Sequence, residues 1–199
     1  MDSTILKIVR ERTRSHRDLF HSRSLLEYLV GPEPDEQQLV AVAGNSAYSA
    51  RGTFTRWTYS ESDKIARLAF ATAADRRQAH LERVGSRLPS SMTYRDGGRM
   101  HDFVRAQEET TARLATGFVG RGLIASHAYE RIKAFFAESN RSDLESLFTE
   151  LAADERETVE TGIDLLEERD FEEGRREEVV SLAVRTVDIA ASELTESIE

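Results

Sequence analysis

Residues 68–84 read "LAFATAADRRQAHLERV", and one helical seam through this stretch decides how the chain is read. Ala66, Phe70, Ala73, Arg77, His80 and Val84 follow one another at alternating steps of four and three, the spacing of a single helix face. The seam is apolar except at Arg77 and His80. A guanidinium on a core-facing stripe needs a partner, because an unpaired buried charge costs roughly 3–5 kcal/mol. Two placements are open: Arg77 is buried and paired, or it lies at the seam's edge and its head reaches water.

The surroundings of this seam are helical throughout. Three prolines and eleven glycines interrupt 199 residues, and tracts of Ala, Leu, Glu and Arg dominate. The expectation is an all-α protein of one domain with helical extensions. Cysteine is absent, which excludes disulfides, thiolate nucleophiles, iron–sulfur clusters and Cys-based zinc sites. No apolar run approaches the roughly 18–20 residues that cross a bilayer. "MDSTILKIVRERTRSHR" at residues 1–17 lacks the apolar core of a signal peptide, so a soluble cytoplasmic protein with no membrane partner is expected.

Charge is unevenly spread. Residues 141–199 carry 19 acids against 6 arginines, whereas residues 1–140 carry 17 acids against 21 bases. The acidic half argues against a nucleic-acid partner, which requires a basic face. Three lysines against 24 arginines, on an acidic chain, fit a GC-rich genome and would also suit a halophile.

Punctuation divides the chain into three. Residues 1–35 form an N-terminal helical extension, broken near "TRSHRD" and ended by "VGPEPDE" at 30–36. Residues 36–169 hold helices at about 36–59, 64–88, 99–138 and 143–169, separated by "SESD", "LPSSMTYRDGG" and "SNRSD". Three glycines in "GFVGRG" at 117–122 predict a kink or close helix packing in the third. Residues 170–199 give a last helix striped by Val180, Val184, Val187, Ala191, Leu194 and Ile198. That stripe must be covered, either by residues 2–30 or by a second subunit.

Two helix pairs look like copies. "SAYSARGTF" at 46–54 matches "HAYERIKAF" at 127–135, and "FATAADRRQAH" at 70–80 matches "FTELAADERET" at 148–158. The second seam runs Leu144, Phe148, Leu151, Glu155, Thr158 and Gly162, so Arg77 corresponds to Glu155 and His80 to Thr158. A helix pair repeated once across a longer link describes a four-helix bundle with a crossover.

With "F-x-x-A-A-D-R-R-x-x-H", "AGNSAY" and this paired topology, residues 36–169 resemble the ferritin-like superfamily, and within it a degenerate, rubrerythrin-like branch found in halophilic archaea. The resemblance implies a dinuclear metal site built from one Glu on each of two helices and a Glu-x-x-His on each of the other two. Carried over, those positions fall on Asn45, Arg77, His80, Ser126, Glu155 and Thr158, of which only His80 and Glu155 keep a ligand type. Two iron ions need more carboxylate than that. No metal or cofactor is therefore expected, and the resemblance implies a non-catalytic, oligomeric interaction or regulatory module, with a dimer favoured.

The pairing reading has Arg77 bound to Glu155 in the volume that metal fills in relatives, with His80, Asn45, Ser126 and Thr158 completing a hydrogen-bonded cluster. It predicts that Arg77→Leu destabilises the fold and that adding Glu155→Leu recovers much of the loss. Two alternatives stand beside it. One is a metal-dependent oxidase or peroxidase with an atypical site, using iron or zinc held by His80, Glu155 and, after a one-residue shift of register, His127. The other is a small-ligand pocket lined by Ala43, Ala47, Ala73 and Ala74. His16 and His21 read as surface or packing residues, and His101 has no evident partner. "GFVGRG" lacks the Lys-Ser/Thr ending of a phosphate loop, and no G-x-S-x-G elbow is present.

Overall fold

The computed structural model describes residues 4–169 and 171–196. Regular structure among them is all helical: α1 (Thr4–Arg12), α2 (Arg14–His21), α3 (Arg23–Val30), α4 (Glu36–Ser60), α5 (Lys64–Gly85), α6 (Arg99–Arg105), α7 (Thr110–Arg113), a π-helical segment (Leu114–Gly120), α8 (Arg121–Glu138), α9 (Ser142–Glu167) and α10 (Glu173–Glu196). No helix among these residues is long and apolar enough to cross a membrane.

The long helices start where carboxylates can satisfy their free N–H groups. Asp35 accepts from Gln37 N at 2.8 Å at the start of α4. Asp63 accepts from Ile65 N and Ala66 N at 2.9 and 3.0 Å at the start of α5. Asn140, at φ 55°, closes α8 in the left-handed region, and Arg141 N returns to Phe136 O at 2.9 Å.

Helices α4 and α5 form one hairpin and α8 and α9 another. Their facing residues bury two apolar clusters. One gathers Phe54, Trp57, Phe70 and Phe118, with neighbouring ring centroids 5.3–5.8 Å apart. The other gathers Leu39, Val84, Tyr129, Phe136 and Phe148. Along α5 and α9 the charged positions Arg77 and Glu155 fall between the two.

Three differences from the sequence expectation have local causes. The N-terminal extension is three short helices, jointed at Thr13 and at Ser22, whose extended backbone (ψ 163°) interrupts the ladder. The expected helix over 99–138 is interrupted after Arg105. There the Gln107 carbonyl accepts from Arg113 Nε at 3.2 Å, and Thr110 and Arg113 are drawn to the buried Glu61 carboxylate at 2.9 and 3.1 Å. Within "GFVGRG" the helix continues but widens, so that Arg121 N bonds Thr116 O, five residues back.

The glycines of that segment allow close approach. A Cβ on Gly117 would lie 2.5 Å from Trp57 and one on Gly120 2.6 Å from Thr186; opposite the segment, one on Gly162 of α9 would lie 2.5 Å from Phe118. Gly120→Ala is therefore expected to destabilise by about 1–3 kcal/mol through overpacking. Gly52→Ala, on the exposed face of α4 with nothing within 4 Å, is expected to stabilise by about 0.5–1 kcal/mol. Urea melts of the two variants check both signs.

The stripe on α10 is covered within the chain, by α1, α2, α6 and the π-helical segment. Val180, Val187, Ala191 and Leu194 are buried and Val184 is half-buried; Ile198 lies outside the described residues. The lopsided charge is matched here too, since Arg12 meets Glu177 at 2.5 Å, His16 meets Asp188 at 2.9 Å and Arg99 meets Glu196 at 2.7 Å.

Candidate functional site: a buried ionic cluster

Helices α5 and α9 run antiparallel past each other, which sets Arg77 against Glu155. Both side chains have no solvent exposure. Arg77 Nη2 donates to Glu155 Oε2 at 2.7 Å and to the Thr158 hydroxyl at 3.0 Å. Thr158 in turn donates to the Asp154 carbonyl at 2.8 Å.

A third charge enters from α8. Arg121 Nη2 donates to Glu155 Oε2 at 2.5 Å, and Nη1 to Oε1 at 3.4 Å. Its Nε–H takes the Gly117 carbonyl at 3.2 Å, because the backbone N–H of Arg121 is bonded to Thr116 instead. The guanidinium lies 5.6 Å over the Phe54 ring. The widened turn and the buried arginine are thus one device.

His80 caps the other side of Arg77. Its Nδ1 faces Arg77 Nη1 at 3.4 Å and its Nε2 faces Asp154 Oδ2 at 2.7 Å. Arg77 can only donate, so Nδ1 accepts and Nε2 carries the proton. Arg83 Nη2 shares Asp154 Oδ2 at 2.9 Å.

Electrostatics follow from burial. Burial alone would push the Glu155 carboxyl up, but Arg121 and then Arg77 hold it below its usual value. Burial draws the Arg77 guanidinium down to about 10, against the pull of Glu155; it stays charged at neutral pH. Burial and then the Arg77 charge lower His80 to about 4, so at pH 7 a neutral imidazole donates to the ionised Asp154 carboxylate and the contact is not an ion pair. Two guanidinium groups share one carboxylate, and Arg77 Nε has no hydrogen-bond partner among the described residues. The cluster carries net positive charge inside the fold.

Of the positions named from sequence, Arg77, His80, Glu155 and Thr158 meet. Asn45 does not join them: its side-chain oxygen accepts from Arg95 N at 2.8 Å. Ser126 is half-buried and makes no hydrogen bond to Arg77 or Glu155 among the described contacts. Arg121, five residues earlier on α8, reaches Glu155 instead. His127 lies on another face of α8, stacked on Phe20 at 6.2 Å and edge-on to His21 at 4.8 Å, away from His80 and Glu155. The trio His80, Glu155 and His127 is therefore not assembled, and no group of three His, Asp or Glu suited to a metal ion occurs among the described residues. Arg121 and Asp154 had no place in the sequence reading. The one sequence signal for Arg121 was an arginine set between two glycines.

The donor set does not fit a dinuclear centre. Glu155 is saturated by two guanidinium groups, and a cation would have to displace both. Comparison with known proteins finds no matching family model, no matching curated protein and no matching solved structure.

Proposed function

We propose that the chain is a non-catalytic helical protein of ferritin-like ancestry, whose dinuclear site has been replaced by the ionic cluster, and that it works as an oligomeric interaction or regulatory module. The observation that carries this reading is the double capture of Glu155 by Arg77 and Arg121. Residues 78 apart, at matching places in two hairpins, meet at the position to which the ferritin-like resemblance would assign metal. A dimer is the assembly this reading favours. It is supported by exposed apolar side chains at the α4–α5 turn, where Tyr59, Ile65 and Leu68 are 87%, 62% and 68% exposed.

Plasma mass spectrometry of protein purified without chelators, before and after anaerobic incubation with ferrous iron, tests the proposal. No stoichiometric metal is the expected result. About two irons per chain, or one zinc or iron bound and lost on His80→Ala, would overturn it. Light scattering on the same sample reads the mass of the assembly.

A further inference from the structure

Beside the ionic cluster lies a part-open cavity of about 200 Å³, lined by α2, α3, α4, α6, α8, α10 and the turn at Gly97 and Gly98. Its walls are largely apolar, with Phe20, Leu25, Val42, Ile124 and Leu194 among them. Small residues shape it: Ala125 and Ala128 line it from α8, and Gly97 and Gly98 let His101 and Glu193, respectively, pack against the turn, where a Cβ on either glycine would overlap them. Ala43, Ala47, Ala73 and Ala74 do not line it, so this is not the pocket expected from the alanine-rich seams.

The polar groups on the wall are mostly donors. Arg121, the Asn45 amide and the Tyr129 phenol, which is hydrogen-bonded with the Ser46 hydroxyl, all border the space. Asn45 commits only its oxygen, to Arg95 N, which leaves its NH2 group unpaired among the described contacts. His101 is the unexplained residue. It is 9% exposed, lines the cavity, and neither ring nitrogen has a hydrogen-bond partner among the described residues. Burial and then the Arg121 charge lower it to about 4, so at neutral pH it offers one donor and one acceptor. The single acid among the described lining residues, Glu193, is engaged by Arg99 N at 2.7 Å and Met100 N at 3.2 Å.

An apolar space bordered by Arg121, which shares its one carboxylate partner Glu155 with Arg77, and by the Asn45 NH2 group and the His101 ring selects an anion with an apolar body. We propose that this cavity binds a small monocarboxylate whose head group meets Arg121, Asn45 and His101 and whose body packs on Val42, Ile124 and Leu194. A cavity of about 150 Å³ takes benzene, so a body and head of roughly ten non-hydrogen atoms suit this one. The carboxylate would supply the second negative charge that Arg77 and Arg121 share only one of. The proposal goes beyond the reading of the metal-free core and does not depend on it.

Isothermal titration of the full chain at pH 7.5 with sodium octanoate, octan-1-ol and sodium acetate tests it. Octanoate is expected to bind one per chain with a Kd on the order of 10–100 µM. Octanol lacks the charge and acetate lacks the body, and each should bind at least tenfold more weakly. Val42→Trp fills the cavity from α4 and should weaken octanoate at least tenfold. Asn45→Asp, a smaller change for use should that variant misfold, keeps the oxygen that Arg95 N needs, removes the NH2 donor and should weaken octanoate several-fold while leaving octanol unchanged. Octanol binding as tightly as octanoate would show an apolar void without anion recognition and overturn the proposal. So would octanoate binding unchanged in a folded Val42→Trp protein, or no octanoate binding at all. Metal content does not enter any of these readouts, so this proposal and the metal-free reading fail separately.

Discussion

Glu155→Leu is expected to be the most destabilising single substitution in the ionic cluster, costing about 3–5 kcal/mol or more. It leaves Arg77 and Arg121 buried and facing each other without a carboxylate. Arg77→Leu should cost distinctly less, because Arg121 still neutralises Glu155 at 2.5 Å. This ordering revises the two-partner expectation. With only Arg77 and Glu155 involved, replacing both would recover most of the loss; with Arg121 present, Arg77→Leu/Glu155→Leu still strands one guanidinium and should remain close to Glu155→Leu alone. Recovery requires the third change, Arg121→Met, since a buried ionic triad exchanged for apolar residues of similar volume is often neutral or stabilising. Urea unfolding of the four variants gives the ranking. Arg77→Leu costing as much as Glu155→Leu would mean that Arg121 does not serve as a partner in solution.

Acid should unfold the protein early, well above the range where its carboxylates protonate. His80, His101 and His127 are all lowered to about 4, by burial first and then by Arg77, Arg121 and His21 respectively. An unfolded histidine titrates near 6.5. Between those values the unfolded chain binds more protons than the folded one, so stability rises with pH in that window and is lost as pH falls through it. Each imidazole removes up to about 1.4 kcal/mol per pH unit. Together they should remove roughly 5 kcal/mol between pH 6.5 and 4.5, a large share of a typical domain's stability. The depressed carboxyl of Glu155 adds to this only at lower pH, once the unfolded glutamates begin to protonate. Thermal melts across this range measure the slope. His80→Gln keeps a donor for Asp154 and removes one of three such titrations, so its slope should fall by about a third. An unchanged slope in His80→Gln would place the acid sensitivity elsewhere.

The α5 and α9 seams were readable because a core-facing stripe repeats at fixed steps, and both charged positions fell on it. Arg77 opposite Glu155 followed from matching two copies of one helix pair. The ends of α4, α5 and α9 were legible to within a few residues, since Asp35, Asp63 and Asn140 are strong punctuation. Arg121 was not legible. Its side chain reaches along α8 to a residue that its position in the repeat does not oppose, and its orientation depends on a widened turn that no residue type specifies. Asn45 and Ser126 were misplaced for the same reason, because position in a repeat fixes a backbone site and not which side chain fills the centre. The cavity was invisible too: its walls come from six helices and the turn at Gly97 and Gly98, and His101 and Arg121 border one space only through the tertiary fold.

The placement of the charged layer between two apolar clusters has a consequence for how the hairpins find their register. Apolar seams of Ala, Leu and Phe are tolerant, and two such helices could slide by one turn, about 5.4 Å, with modest loss of contact. Such a slip would bring Arg77 against Leu151 or Val159 and strand its buried charge without a carboxylate, while Glu155 kept only Arg121. The ionic layer thus acts as a detent: it adds little net attraction in the correct alignment and makes each misaligned one expensive, so that one sliding position of α5 against α9 is singled out from several that the hydrophobic pattern alone would accept.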